Sequence, residues 1–376
     1  MAIISRYFSL AGLFFVQALS RGILLSVIPL QAFRLLGDAQ KTSALFFAVS
    51  AGGIAAAMAM PVIIRKLGNH SAFILASLLM FASAGFLYFE NPWIFSIGLF
   101  CHIFAIAAVE VSLTLYVLAR IPRQQLTRFE PWRIFASVLA LTIGPFLGVY
   151  MDERISHESP FVFSAVFTVL SYVYFRFLGL HKQHLPGNKE TGRNPFSNLN
   201  RFFGQPRLRL GYSLVLARSC WWAMFVIYTP IYAVSVGKSE IFGAAIVSLG
   251  TAWTLTVPFW GWVGRQYGVR WLLRSGFLAT SIMIFAVFLV SDLPTAASTL
   301  LILSALGATM LDGMGNVLYY RAVKSRERSE MTAVFATYRD VSQLAVPGLY
   351  AILLKFFALP IVFLSASAWM LVAAWY

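Results

Sequence analysis

Four ionisable side chains, Arg21, Glu110, Arg218 and Asp312, interrupt long apolar stretches of this chain. A charge surrounded by hydrocarbon or protein interior is costly unless it meets an opposite charge or lines a wet path, so such residues mark a route for solute or protons, or fixed ion pairs. A carboxyl in that setting exchanges a proton as a cation approaches or withdraws, which makes Glu110 and Asp312 the candidates for proton coupling. Arginine offers a planar fork of donors that matches carboxylate and phosphate, so Arg21 and Arg218 are candidates for holding an anionic or zwitterionic organic solute. The same residues admit a plainer arrangement, with Arg21 bound to Glu110 and Arg218 to Asp312 as structural pairs between helices. Downstream of Arg218, the aromatic residues Trp221, Tyr228 and Tyr232 recur at helical spacing, a stripe that fits packing or lipid contact better than a ligand wall. Trp221 and Tyr228 would be substrate contacts if the stripe faced a cavity, where they would suit a flat, amphipathic solute. His102 reads as a packed, hydrogen-bonded side chain rather than a relay.

Other chemistries find no foothold. The chain has no His-Glu-x-x-His, no Gly-x-Ser-x-Gly and no phosphate-cradling glycine loop, so no catalytic residue, metal site or cofactor is expected and no ATP-driven step is indicated. Cys101 and Cys220 both fall in apolar stretches and read as small buried hydrophobes.

The elements that position these residues follow from composition. With 59% hydrophobic and 11% charged residues, the chain is too apolar to wrap around one soluble core. A helix needs about 20 apolar residues to cross a bilayer. That ruler places spans at 7–33, 43–64, 71–89, 92–118, 134–151, 161–178, 211–236, 241–263, 271–290, 296–320, 331–354 and 358–376. The stretches are continuously apolar, which predicts helices rather than the alternating strands of a barrel. The expected architecture is an all-α membrane protein of twelve transmembrane helices in two pseudo-symmetric six-helix bundles, 1–180 and 209–376, joined by a cytoplasmic linker at 181–208. The first span is too long for a signal-peptide core and should remain as the first helix. The chain stops at the last span without a basic tail, and a short disordered or removed C-terminus is expected.

The net charge of +15 suggests nucleic acid until the positions of the 29 lysines and arginines are read. Most cluster in alternate connections, such as Arg120, Arg123, Arg128 and Arg133, whereas Arg34, Lys41, Arg154, Lys238 and Lys355 fall on the opposite side. This is the positive-inside pattern for an even number of helices with both termini cytoplasmic. The charge is therefore topological, nucleic acid is not an expected partner, and a bacterial inner membrane is the expected location. Membrane lipids, protons and a small-molecule substrate are the expected partners of a monomer. By helical rise, Glu110 lies about 15 Å from Arg120 and Asp312 about 13.5 Å from Arg321, so the two acids share a mid-membrane depth.

Internal repetition is visible by offset: Gly37, Arg65 and Gly68 recur 200 positions later as Gly237, Arg265 and Gly268. The run Gly261-Trp-Val-Gly264-Arg265-Gln-Tyr-Gly268-Val-Arg270 resembles the loop motif of the major facilitator superfamily, a family of secondary transporters, with Gly264 where that motif carries an acid. The first-half copy keeps Arg65 and Gly68. Gly144-Pro145-Phe-Leu-Gly148 is similar to the Gly-Pro element of the antiporter branch, or else simply permits a kink and close packing. Arg339 and Asp340 read as a cytoplasmic-side gate or packing pair. The resemblance implies gating roles for the loop-motif residues Arg65, Gly68, Gly261, Arg265, Gly268 and Arg270, and for Gly144 and Pro145. It also implies a central cavity lined by the first, fourth, seventh and tenth helices, each of which carries one of the four charges. A proton-coupled transporter of a small organic solute working by alternating access is the expected function. Efflux by antiport, uptake of an anionic nutrient or metal chelate by symport, and a non-transporting receptor with the same fold all remain open.

Overall fold

The computed structural model describes residues 2–121, 123–180, 195–323 and 327–375, and every regular element among them is helical. The first half of the expected linker, 181–194, lies outside the described residues. In chain order the helices are α1 (Ala2–Gly22), α2 (Leu24–Leu36), α3 (Ala39–Leu67), α4 (Asn69–Tyr88), α5 (Pro92–Arg120), α6 (Arg123–Arg154) and α7 (Ser159–Phe177). They continue with α8 (Pro195–Phe203), α9 (Pro206–Ser235), α10 (Glu240–Ala252), α11 (Val257–Tyr267), α12 (Val269–Leu289) and α13 (Pro294–Met314). The last are α14 (Val317–Ala322), α15 (Arg328–Ala336), α16 (Tyr338–Leu353) and α17 (Ile361–Trp375). Among the described residues, nine helical segments are long and apolar enough to cross a membrane, and α17 is a shorter apolar helix.

Helix α12 shows why lipid is the solvent these helices are built for. Its outward stripe is Leu278, Ile282, Phe285 and Leu289, all exposed, whereas its buried stripe includes Gly276, Thr280, Ser281 and Ile284. Large apolar side chains cover the outward face as well as part of the inward one, and the small or polar Gly276, Thr280 and Ser281 point in, unlike the polar-out pattern of a water-soluble helix. Small residues let neighbouring backbones approach, and hydroxyls that would be orphaned in hydrocarbon donate to carbonyls across helices. Ser281 Oγ donates to Ser367 O at 2.9 Å, and Ser164 Oγ to Ser20 O at 2.7 Å.

The chain divides into two compact units. Unit 1 comprises Met1–Asp38, Ala48–Lys189 and Glu240–Ser248, and unit 2 comprises Ala39–Phe47, Glu190–Ser239 and Leu249–Tyr376. Each unit thus takes in the first turns of a helix that otherwise belongs to the other, α10 for unit 1 and α3 for unit 2. Unit 1 holds an aromatic cluster in which Phe73 lies 4.3 Å from Phe175 between ring centroids and Tyr116 packs edge-on. In unit 2, Tyr319 stacks on Phe335 at 3.9 Å, and α8, inside the segment expected to be linker, inserts Phe202 completely into the same cluster.

The glycines related by the 200-residue offset share a backbone geometry. Gly37 and Gly237 have φ of 65° and 77°, and Gly68 and Gly268 have 81° and 96°. With ψ of 155° and 145°, Gly68 and Gly268 occupy a region open essentially to glycine alone, and each starts the next helix by accepting an amide four residues on.

Several expected spans are broken. The first is interrupted at Ile23 between α1 and α2, the eighth by a 3₁₀ turn at Trp253–Thr256, the tenth at Gly315 and Asn316, and the eleventh at Thr337. The first and tenth breaks fall two or three residues after Arg21 and Asp312. Irregular backbone at membrane depth persists only where protein or a cavity satisfies it, so these charges sit where helix ends are available as partners.

Candidate functional site

Each unit brings together one arginine and one acid. In unit 1, Arg21 in the last turn of α1 places Nη1 3.6 Å from Glu110 Oε2 on α5. This contact is long, and the Glu110 side chain is 41% exposed, so solvent or solute can compete for it. The buried Nε of Arg21 has no hydrogen-bond partner among the described residues. His102, two turns earlier on α5, is buried with Nδ1 3.3 Å from Ser83 Oγ, as expected of a packed histidine.

In unit 2 the pair is tighter. Arg218 on α9 sets Nε 3.1 Å from Asp312 Oδ1, and the two side chains are 9% and 24% exposed. Trp222 Nε1 donates to Asp312 Oδ2 at 3.1 Å, so both carboxylate oxygens are engaged. Arg218 Nη1 also reaches Leu311 O at 3.4 Å, a carbonyl in the last turn of α13, where the helix dipole favours a cation. Gly315 makes room for this: a Cβ there would collide with Arg218 Nη1 and lie 2.7 Å from Leu311 O. The break in the tenth span and the seat of Arg218 are therefore one feature.

Trp221 and Tyr228, the candidate substrate contacts, are completely buried within unit 2. Trp221 stacks on Phe225 at 4.9 Å, while Tyr228 meets Tyr350 edge-on and its hydroxyl lies 2.7 Å from Ser43 Oγ. Their surroundings are those of packing residues. Trp222, half-buried beside Asp312, is the aromatic residue of α9 that touches a charge.

Among the gating candidates, Gly144 and Gly148 stack one turn apart on α6 against the break after α1. A Cβ on Gly144 would come within 2.6 Å of Gly22 O, and one on Gly148 would overlap Ile23 O. Pro145 lies inside α6, and the next amide, Phe146 N, donates to Ser248 Oγ at 3.0 Å. Arg65 lies in the last turn of α3, and its side chain lies outside the described residues. Gly261 on α11 faces Gly313 on α13, while Arg265, Gly268 and Arg270 are exposed at that end. Gly264, which stands where the resemblance implies an acid, has its own reason: a Cβ would sit 2.7 Å from Met314 Cγ and 2.9 Å from Leu272 Cδ2. The space an aspartate needs is filled. Arg339 and Asp340 are exposed at the start of α16, and Arg339 Nε lies 3.3 Å from Tyr338 OH.

One charged group is not foreseen by the sequence pattern. In unit 1, Arg34 Nη2 donates to Asp152 Oδ2 at 2.7 Å and Nε lies 3.4 Å from Glu240 Oε1. His157 Nδ1 is 2.6 Å from Asp152 Oδ1, and Glu153 accepts the Ile241 amide at 3.0 Å. The Asp152 side chain is only 2% exposed although it lies in a helix end expected to be polar. Arg34 opposite an Asp-Glu pair at the end of the fifth span was the available signal, but pairing across segments so distant in sequence is not legible from spacing.

The family model of the Major Facilitator Superfamily matches residues 10–347. The chain belongs to that superfamily. Its fold is similar to that of a solved POT family transporter in complex with 5-aminolevulinic acid, with a TM-score of 0.78 at 13% identity over 97% of this chain and 94% of the other. It is also similar to the nucleoside transporter NupG, with a TM-score of 0.70 at 15% identity over 98% of this chain and 97% of the other. Among curated protein sequences none matches significantly. Family and fold are those of a secondary transporter, and the chain is an integral, multi-pass membrane protein.

Proposed function

We propose that this protein is a proton-coupled secondary transporter of a small anionic or zwitterionic organic solute, working by alternating access between two six-helix bundles with both termini cytoplasmic. The observation that carries the reading is the contrast between the two ion pairs. Arg218 and Asp312 hold each other closely with Trp222 as a third partner, whereas Arg21 and Glu110 touch at 3.6 Å with the Glu110 side chain 41% exposed. A carboxyl that is loosely paired and reachable can exchange a proton as its cation is drawn to another anion. Arg21, with an unpartnered buried Nε, keeps donors in reserve for a carboxylate or phosphate. Solute binding at Arg21 would loosen Glu110 and favour its protonation, which couples the two events through one guanidinium. Asp312 is the second proton-coupling candidate, and its closer pairing makes it the less mobile one. The structures of similar fold include one with 5-aminolevulinic acid and one with sulfate, in keeping with an anionic group on the solute.

The test is reconstitution into liposomes that enclose a pH-sensitive dye, with pools of organic acids, amino acids and amphipathic compounds added outside. Substrate-dependent proton flux is expected, and its sign separates symport from antiport. Glu110→Gln is expected to abolish gradient-driven accumulation while solute exchange continues. Unchanged accumulation in that variant would overturn the assignment.

A further inference from the structure

A small crevice lies within unit 2 among the ends of four helices, and neither Arg218 nor Asp312 lines it. Leu210 and Leu214 of α9, Leu273 and Phe277 of α12, Leu318 of α14 and Ala373 of α17 form its apolar wall, and Arg270 and Arg274 of α12 stand at its rim. Its volume is ≈ 90 Å³. A pocket for a whole organic solute is about 300 Å³ or more, so this space accommodates only a few methylenes of one chain. Arg270 and Arg274 are one helical turn apart and so project from the same face. Both are exposed, and among the described residues neither has a hydrogen-bond or ion-pair partner. The adjoining Trp271 and Tyr267 are 52% and 67% exposed with ring centroids 5.6 Å apart, as aromatic residues are at a membrane interface.

We propose that this crevice binds one anionic phospholipid, with its phosphate between Arg270 and Arg274 and the upper part of one acyl chain against Leu214, Phe277 and Leu318. Two unneutralised guanidiniums above an apolar slot match a ligand that is anionic at one end and hydrocarbon at the other. A free phosphate would satisfy the arginines and leave the slot bare. A zwitterionic lipid would fill the slot and bring its own cation to the arginines. The combination, at the end of the helices that carries the arginine-rich connections, selects the anionic lipid.

The experiment uses the full-length protein, stripped of lipid in detergent, with dioleoylphosphatidylglycerol, dioleoylphosphatidylcholine or inorganic phosphate added and occupancy read by native mass spectrometry. The wild type is expected to prefer phosphatidylglycerol over phosphatidylcholine by about thirtyfold, the contribution of two arginines near a membrane surface. Arg270→Gln/Arg274→Gln is expected to lose that preference, whereas Arg120→Gln/Arg176→Gln, which removes two exposed charges from unit 1, is expected to keep it. Leu318→Trp leaves both arginines and fills the slot, and it too is expected to lose the preference. Retention of the preference in Arg270→Gln/Arg274→Gln protein that elutes as a folded species would overturn the site. Retention in Leu318→Trp would reduce it to surface charge, and equal occupancy by inorganic phosphate would make it an anion site without a lipid.

Discussion

The Arg218–Asp312 pair allows a quantitative test of whether this half of the charge arrangement is fixed. At 3.1 Å between Nε and Oδ1, with the side chains 9% and 24% exposed, the Coulomb attraction is about 5 kcal/mol at an effective dielectric constant of 20. Desolvation of both groups offsets much of this, so the pair itself adds little net stability. Removing one partner is different, because the other charge is then stranded. Arg218→Gln and Asp312→Asn are each expected to cost about 3 to 5 kcal/mol, as for other buried pairs. The double variant should cost about as much as one single variant, which gives a coupling energy of about 3 to 5 kcal/mol. The assay is reversible unfolding of the purified protein in mixed micelles of mild detergent and dodecyl sulfate, followed by tryptophan fluorescence. The coupling is read at mildly acid and mildly alkaline pH, because Trp222 and Arg218 together occupy both carboxylate oxygens of Asp312. Additive single variants would refute the pairing argument. A coupling that fades in mild acid would show that Asp312 takes up protons and would transfer to it the role proposed for Glu110.

Three further outcomes follow from close contacts. Gly148→Val should lower stability by at least about 1 to 3 kcal/mol and reduce the monodisperse fraction on size-exclusion chromatography, because its Cβ would overlap Ile23 O; a wild-type melting temperature would mean that α6 can step away from the break. Gly264→Asp, which restores the acid of the superfamily loop motif, should destabilise by about 1 to 3 kcal/mol through contact with Met314 and Leu272, and a stabilised variant would show that the motif can be rebuilt at this position. Arg34→Gln should cost about 2 to 3 kcal/mol, somewhat below a fully buried pair because Arg34 is 38% exposed, and Asp152→Asn in the same chain should recover most of it. Failure of that rescue in thermal melts would mean that Arg34 acts by packing and not by charge.

The superfamily fold was legible for a simple reason: a bilayer imposes length and composition on each span, and charge bias on each connection, residue by residue. The offset glycines were legible too, since a backbone conformation that only glycine adopts leaves its mark in the sequence at Gly68 and Gly268. The break at Thr337 was not, because no proline or glycine stands beside it; Gly22 stands beside the break at Ile23, and Gly313 and Gly315 beside the one after Met314. The segment from Pro195 to Phe203 read as linker because its apolar residues are few, yet Phe202 is buried in unit 2.

By itself the sequence determined that the protein lives in a membrane, roughly where its apolar helices lie and which charges they carry. Only the tertiary structure decided the partners: Arg21 with Glu110, Arg218 with Asp312 and Trp222, Arg34 with Asp152 and Glu240, and the burial of Trp221 and Tyr228. The physical reason is the solvent. In water, a helix declares its inward face by an apolar stripe, so the direction of each side chain can be read from periodicity. In lipid the outer face is as apolar as the inner one, and the signal that would orient Arg21 or Trp221 around its helix is erased. Position along a helix survives as a count along the chain, whereas direction is settled only when the helices pack.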